Sequence, residues 1–144
     1  MRKLIYTLTM LAALLTVVAS AAQAQTSNRQ TVIATIPFAF SAGKTNLPAG
    51  KYTFTVVNPS SDRRILEIRN VASHASALVQ TNNVNGILAD DAKLLFERYD
   101  DQYFFTQAQL PGDATRLAAV RSKSERKHML ANATKKSVIV ISAG

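Results

Sequence analysis

Two pairs of adjacent aspartates are the residues of this sequence best suited to metal or proton chemistry. Asp90-Asp91 and Asp100-Asp101 supply paired carboxylates, which can share a proton or bind Ca²⁺ through hard oxygen ligands. Neighbouring residues of a strand point to opposite faces, however, and both pairs sit where the pattern predicts turns. The spacing of a calcium-binding loop is absent. We therefore interpret all four as turn residues, and the sequence predicts no metal site.

The two histidines, His74 and His128, are the only imidazoles available for acid–base catalysis. Neither belongs to an H-E-x-x-H motif, and the chain has no G-x-S-x-G motif for a nucleophilic serine. A catalytic group assembled from distant parts of the chain leaves no such signature, so a small enzyme with an unrecognised site stays open as an alternative. The pattern favours surface or loop histidines and predicts no catalytic residue and no cofactor.

The strongest positive signal is a basic segment near the C-terminus. Eight basic residues balance eight acidic ones in residues 25–114, whereas in residues 115–136 seven basic residues face Glu125 alone. The seven are Arg116, Arg121, Lys123, Arg126, Lys127, Lys135 and Lys136. On a helix, Lys123, Arg126 and Lys127 would share a face through their spacing of three and four. Such a face can bind anions, and a merely solvated helix face is the alternative.

A second candidate surface lies where a hairpin is predicted. The guanidinium of Arg98 can stack on a cross-strand tyrosine, Tyr103, with Tyr99 beside them; such pairs also occur as ordinary hairpin packing. The candidate contacts for an anionic ligand or a partner are therefore Arg121, Lys123, Arg126, Lys127, Arg98 and Tyr103.

The first 24 residues have the three parts of a secretory signal peptide. Arg2 and Lys3 are followed by 19 uncharged, mostly apolar residues and by the small-x-small site Ala22-Gln23-Ala24. We expect cleavage there and export to the periplasm or the exterior, which leaves residues 25–144 as one domain without a transmembrane span. An uncleaved anchor is the alternative, because 19 uncharged residues nearly span a bilayer. The chain has no cysteine and hence no disulfide.

Period-two alternation predicts a mainly β domain. In residues 51–57, Tyr52, Phe54 and Val56 alternate with polar residues. Pro37 has no amide hydrogen, so the strand that contains it must lie at an edge or be interrupted. Similar patterns predict seven strands, at residues 31–40, 51–57, 64–70, 76–81, 93–99, 102–110 and 137–142, with loops at residues 41–46 and 82–86.

The predicted strands at residues 93–99 and 102–110 form a hairpin around Asp100-Asp101. A two-residue turn there pairs Arg98 with Tyr103, Phe96 with Phe105, Glu97 with Phe104, and Leu95 with Thr106, although Asp-Asp is weak turn chemistry. The last strand is predicted to be buried because it is apolar and β-branched.

A short helix is predicted over residues 123–133. Ser122 and Glu125 have the spacing of a capping box. Its thin apolar side comprises Met129, Leu130 and Ala133. The sum is a single antiparallel β-sandwich or small barrel of about seven strands with one short C-terminal helix, after the signal peptide.

Three segments resemble a family of small exported proteins that is numerous in acidobacterial genomes. They are I-P-F-A-F at residues 36–40, L-P-A-G-K-Y at residues 47–52 and L-F-E-R-Y-D-D-Q-Y-F at residues 95–104, and Ser122 and Glu125 match a later S-x-x-E. The family usually has glycine where this chain has Asp100. The resemblance implies export and a β fold, and it implies no activity.

These observations favour a non-catalytic exported β module that binds an anionic envelope component, an anionic polymer or a protein partner. Nucleic acid is disfavoured as the ligand because the protein is expected outside the cytoplasm. A small exported enzyme and a structural or assembly protein of the cell envelope are the alternatives. The Pro37 strand and the apolar residues 138–141 could offer sheet edges for such assembly.

Overall fold

Alternating burial along one strand shows how this sequence builds its sheet. In β4 (Gly50–Val56), Tyr52, Phe54 and Val56 are at most 1% exposed, while the residues between them face outward. A computed structural model describes residues 30–61, 64–131 and 136–143, with the side chain of Lys136 excepted. It pairs β4 with β1 (Thr31–Ile36) on one edge and β5 (Ile65–Asn70) on the other. The predicted alternation of Tyr52, Phe54 and Val56 is confirmed.

Within the described residues the chain forms ten strands and one helix. The other strands are β2 (Phe40–Ala42), β3 (Thr45–Leu47), β6 (Ser76–Asn85), β7 (Ala92–Tyr99), β8 (Gln102–Gln109), β9 (Thr115–Ala119) and β10 (Lys136–Ala143). The helix is α1 (Lys123–Ala131). This described part of the chain is therefore mainly β with one short helix, as predicted. The expected signal peptide, residues 1–24, lies outside the described residues.

The strands belong to one open, mixed sheet. Its path runs β1-β4-β5-β6-β9-β8-β2-β3, while β7 pairs with the other edge of β8 and β10 pairs with β7. The first half of β6 pairs with β5 and its second half with β9, so this strand links the two parts of the sheet. The expectation of a purely antiparallel arrangement is wrong at one place, because β2 meets β8 in parallel at Ser41 and Phe104.

Aromatic side chains fill the core. Phe96 lies in edge-to-face contact with Phe38, Phe40 and Phe105, at centroid distances of 5.2 to 5.6 Å. Phe40 also meets Tyr52 of the opposite part of the sheet, with the ring centroids 5.2 Å apart. Rings therefore join strands that are distant along the chain. Edge-to-face pairs at such distances are favourable beyond the apolar area that they bury.

The β7–β8 hairpin has the predicted two-residue turn and a bulge that was not predicted. Arg98 pairs with Tyr103 and Glu97 with Phe104, as expected. The register then shifts, so Leu95 lies opposite Gln107 and the expected pairing with Thr106 is wrong. The hydroxyl of Thr106 donates to the carbonyl oxygen of Leu95 at 3.1 Å, which satisfies a backbone acceptor at the irregularity.

Two predicted loops are strands, and one strand was missed. Residues 41–46 form the β2–β3 hairpin, whose turn contains Gly43 at φ 61°, a conformation that glycine adopts without steric cost. Residues 82–85 continue β6, because β9 supplies partners for their backbone groups despite their loop-like asparagines. β9 was missed because Leu117 is its one fully buried residue and gives no period-two pattern.

The first and last described strands, β1 and β10, have different outcomes against their sequence predictions. β1 breaks before Pro37 and lies at an edge, which confirms the interpretation of that proline. The prediction that the last strand is buried is wrong: β10 pairs with β7 alone among the described strands, and Val138 and Val140 are 54% and 53% exposed.

Helix α1 is short and packs through polar residues. Its serine cap is confirmed, because the amide of Glu125 donates to the Ser122 hydroxyl oxygen at 3.1 Å. The expected apolar side is wrong at Leu130, which is 78% exposed, whereas Met129 is half-buried. Ala133 lies outside the described residues. No helix in the described part of the chain is long and apolar enough to cross a membrane.

Candidate functional site

Two buried carboxylates join helix α1 to the sheet. Glu97 of β7 is 7% exposed and Glu125 of α1 is 4% exposed. Arg121, just before the helix, lies between them: its Nη2 is 3.4 Å from both carboxylate oxygens of Glu97, and its Nε is 3.6 Å from Oε1 of Glu125. One guanidinium therefore pairs with carboxylates on two elements. Buried charges persist in proteins when they are paired in this way.

A tyrosine completes this polar cluster. The Tyr99 hydroxyl donates to Oε2 of Glu97 at 2.5 Å, and the Tyr99 side chain is fully buried. Burial, the hydrogen bond to Glu97 and the nearby negative charge of Glu97 together raise the pKa of Tyr99 to about 12. Tyr99 therefore stays a neutral donor at physiological pH. We call Glu97, Tyr99, Arg121 and Glu125 the helix-docking cluster.

The helix-docking cluster was missed at the sequence level. The hairpin pattern predicted only that Glu97 and Phe104 pair with each other, and it gave no sign that a helix covers their face. That face is covered: the Phe104 ring lies 5.8 Å from Tyr99 and 5.6 Å from His128 of α1. Two features of the sequence could have indicated this cluster. Glu97 lies opposite Phe104 in the predicted hairpin, and an arginine precedes the later S-x-x-E segment. His128 therefore packs on an aromatic ring.

The exposed side of α1 carries the basic residues that spacing predicted to share a face. Lys123, Arg126 and Lys127 are all exposed, and Nη2 of Arg126 donates to the Arg121 carbonyl oxygen at 3.2 Å. Arg121 differs, because its ion pairs face the sheet. Arg116 of β9 is half-buried and donates to the Asn85 carbonyl oxygen. Lys135 and the side chain of Lys136 lie outside the described part of the chain.

Arg98 and Tyr103 lie on the opposite face of the hairpin from α1. The Arg98 guanidinium carbon is 5.4 Å from the centre of the Tyr103 ring, and that ring stacks on Phe38 at 4.0 Å. Nε of Arg98 also donates to the Asp100 carbonyl oxygen at 2.6 Å. The structure therefore places Arg98 and Tyr103 apart from Arg121 and from the three exposed basic residues of α1. The Arg98–Tyr103 pair serves the packing of its own hairpin.

The acidic pairs and His74 occupy turns, as predicted. Asp100 and Asp101 form the β7–β8 turn, and Asp90-Asp91 bends the chain before β7. His74 is exposed in the β5–β6 connection, at φ 58°. Nowhere in the described residues do three acidic or histidine side chains form a group that could hold a metal ion.

A groove of about 690 Å³ lies between the β6–β7 connection and β10. Apolar side chains line much of it, including Ile87, Leu88, Leu95 and Val140. Lys93 and Arg116 contribute positive charge to the same lining. We call this feature the outer groove. Its apolar walls with a few convergent polar groups have the composition of a binding groove.

The chain was compared with models of protein families, with curated proteins and with solved structures, and none of the three comparisons found a match.

Proposed function

We propose that this protein is an exported, non-catalytic β module that binds an anionic partner through the exposed face of α1. One observation carries the proposal: the helix is fixed to the sheet by charged residues, while Lys123, Arg126 and Lys127 point away from it. A helix with so few buried apolar residues gains little from the hydrophobic effect. Because ion pairs hold the helix on the sheet, its basic residues stay exposed to a partner.

A further lysine lies near the start of α1 and adds positive charge beside the exposed basic face. A pocket of about 380 Å³ beside the start of α1 is lined by Lys44 and Lys123 together with Ser41, Asn46, Ser122 and Ser124. Two lysines and several hydroxyl groups thus converge where the exposed basic face begins. Clustered cations of this kind raise the local concentration of polyanions and make the binding sensitive to salt. The partner that best fits is a phosphate- or sulfate-bearing polymer of the cell envelope.

Heparin provides a test with a defined sulfated polymer. The double substitution Lys123→Glu with Lys127→Glu should weaken binding at least about tenfold at low salt, because each lysine near an anionic surface contributes about 1 kcal/mol. The matched control reverses two exposed charges on the outer face of β4 and β5, Lys51→Glu with Arg69→Glu. Isothermal titration at two salt concentrations measures both. Equal weakening by the two double variants would mean that net charge alone drives retention.

For the architecture, we propose a small barrel left open at one seam. The path β1-β4-β5-β6-β9-β8-β7-β10 is antiparallel at each step, and β10 and β1 approach to within 8 Å between Cα atoms. Among the described residues no register pairs these two strands. Hydrogen exchange tests this arrangement, because amides of β1 and β10 that face the seam should exchange faster than those of β4 and β5.

Export rests on the pattern of the first 24 residues and on the resemblance to exported proteins. We propose that a signal peptidase removes this segment after Ala24. Intact-mass analysis of the protein recovered from its own cells tests the proposal, because the mature chain should begin at Gln25. A recovered mass that includes Met1 would instead indicate a retained membrane anchor.

A further inference from the structure

Three exposed aliphatic side chains line the outer groove. Ile87 is 88% exposed and Leu88 is 64% exposed, and both belong to the connection between β6 and β7. Val140 of β10 is 53% exposed and lines the same groove. We call these three residues the apolar patch. Single exposed aliphatics are common, but a set that lines one groove is typical of an interaction surface.

The connection that carries Ile87 and Leu88 is held in place by backbone hydrogen bonds. The amide of Gly86 donates to the Ala114 carbonyl oxygen at 2.8 Å, and the amide of Gly112 donates to the Ala89 carbonyl oxygen at 2.9 Å. Nε2 of the buried Gln109 donates to the carbonyl oxygen of Ile87. The backbone therefore fixes two side chains in an exposed position. A partner would find the loop already ordered, which lowers the entropy cost of binding.

The charges around the apolar patch have both signs. Lys93 and Arg116 line the outer groove, and the exposed Asp90 and Asp91 follow Leu88 in the same connection. Two positive and two negative charges leave no net field to attract an anionic lipid or a polyanion. They do fit a surface of the same composition turned by a two-fold rotation, because acidic residues of one copy then approach basic residues of the other.

We propose that two copies of this chain associate through the outer groove. Ile87 and Leu88 of each copy insert beside Leu95 and Val140 of the other, and Asp90 and Asp91 of each copy approach the other copy's Lys93 and Arg116. An isologous contact of this kind closes on itself, so it gives dimers and not fibres. It also buries the exposed Val140 of β10, a strand that would otherwise offer part of an apolar edge for aggregation.

Sedimentation equilibrium over a range of concentrations tests the proposal. The unsubstituted protein should form a dimer, and Ile87→Asp should raise its dissociation constant at least about a hundredfold by placing a charge in an apolar contact. The matched controls are Leu78→Asp on β6 and Leu130→Asp on α1, because these leucines are 70% and 78% exposed but lie outside the groove lining. Both controls should dimerise like the unsubstituted protein.

Three results would overturn the proposal. The first is a protein that stays monomeric at every concentration. The second is a dimer that Ile87→Asp does not weaken, since its interface would lie elsewhere. The third is a monomer that binds vesicles of phosphatidylglycerol and loses that binding in Ile87→Asp, because the apolar patch would then contact lipid. The variants leave α1 unchanged apart from Leu130→Asp, so heparin binding by Ile87→Asp reports separately on the basic face.

Discussion

The Tyr99 hydroxyl and the Glu97 carboxylate lie two residues apart on one strand and are joined by a 2.5 Å hydrogen bond between buried groups. Strand geometry explains the pairing, because residues i and i+2 point to the same face. That face would be solvated in an isolated hairpin. Here α1 closes over it, and Arg121, just before the helix, pairs with both Glu97 and Glu125, so the outer face of β7 and β8 becomes a second, polar packing region.

Removing the Tyr99 hydroxyl should destabilise the domain. We expect Tyr99→Phe to lower the free energy of unfolding by about 2 kcal/mol, because a charged acceptor loses its donor in a buried site. Urea denaturation at neutral pH measures the change. The control is Tyr103→Phe, which keeps its ring on Phe38 and should stay within about 0.5 kcal/mol of the unsubstituted protein. Similar losses in both variants would contradict a special role for the Tyr99 hydroxyl.

Alkaline pH should lower the free energy of unfolding through the titration of Tyr99. The pKa of Tyr99 is raised from 10.0 to about 12 on folding, so between these values the unfolded chain has lost a proton that the folded chain retains. The stabilisation is complete below pH 10 and is lost as the pH rises towards 12. Absorbance of tyrosinate near 295 nm should show a transition at about pH 12 that disappears in Tyr99→Phe. A Tyr99 transition near pH 10 would contradict the burial of this group.

The serine cap of α1 gives a prediction confined to the helix. Ser122→Ala removes the acceptor of the Glu125 amide and should cost about 1 kcal/mol. Ser124 lies one position inside the helix, where alanine is the better helix former, so Ser124→Ala should leave stability unchanged or slightly raised. Hydrogen exchange of residues 123–131 should accelerate in the first variant alone. Acceleration in both would show that the helix is not held by its cap.

The sequence predicted the parts of this fold in which one face is apolar. β4 and β5 alternate clearly, because most of their inward residues are large and most of their outward residues are polar. The capping serine could be recognised for a similar reason, since its function depends on a local spacing. In each case the residues that determine the structure lie within one turn or one strand.

Features that depend on distant partners could not be predicted in this way. Asn82 and Asn83 read as a loop, yet β9 pairs with them and extends β6 across the sheet. The sequence around Glu97 does not indicate that this glutamate is buried, because the helix that covers it comes later in the chain. Leu130 was predicted on the apolar side of the helix, but α1 packs on the sheet through Glu125 and His128 instead. The alternation of a strand tells which residues share a face, but not what packs against that face.

The half-buried ion pair between Arg64 and Asp113 should make the free energy of unfolding depend on pH in the acid range. Burial favours a higher pKa for Asp113, but the Thr115 amide at 2.8 Å and Nη1 of Arg64 at 3.2 Å favour the carboxylate and hold the pKa below the usual 3.8. The unfolded chain therefore takes up this proton first as the pH falls. The stabilisation is complete above the unfolded pKa and is lost as the pH falls through the folded value.

Asp113→Asn tests this linkage. The variant should be less stable than the unsubstituted protein by about 1 to 2 kcal/mol at neutral pH, because a charged hydrogen bond is lost from a site about one-fifth exposed. The difference should shrink as the pH is lowered through the titration of Asp113. Urea denaturation across the acid range measures it, with the exposed Asp91→Asn as the control. A difference that stays constant with pH would mean that the lost charge is not its cause.

The turn of the β7–β8 hairpin holds an aspartate in a conformation that favours glycine. Asp100 has φ 53°, in the left-handed region where a side chain is strained. Asp100→Gly should therefore raise the free energy of unfolding by about 0.5 to 1 kcal/mol, after allowance for the greater freedom of glycine in the unfolded chain. The contact between Nε of Arg98 and the Asp100 carbonyl oxygen uses the backbone and survives the substitution. Thermal unfolding measures the gain.

Asp101→Gly is the matched control, because it removes an exposed carboxylate 3.2 Å from Arg98 and adds only flexibility. It should therefore slightly destabilise the hairpin. If the two glycine variants shift the melting temperature in the same direction, the strain at Asp100 does not limit the stability of this turn.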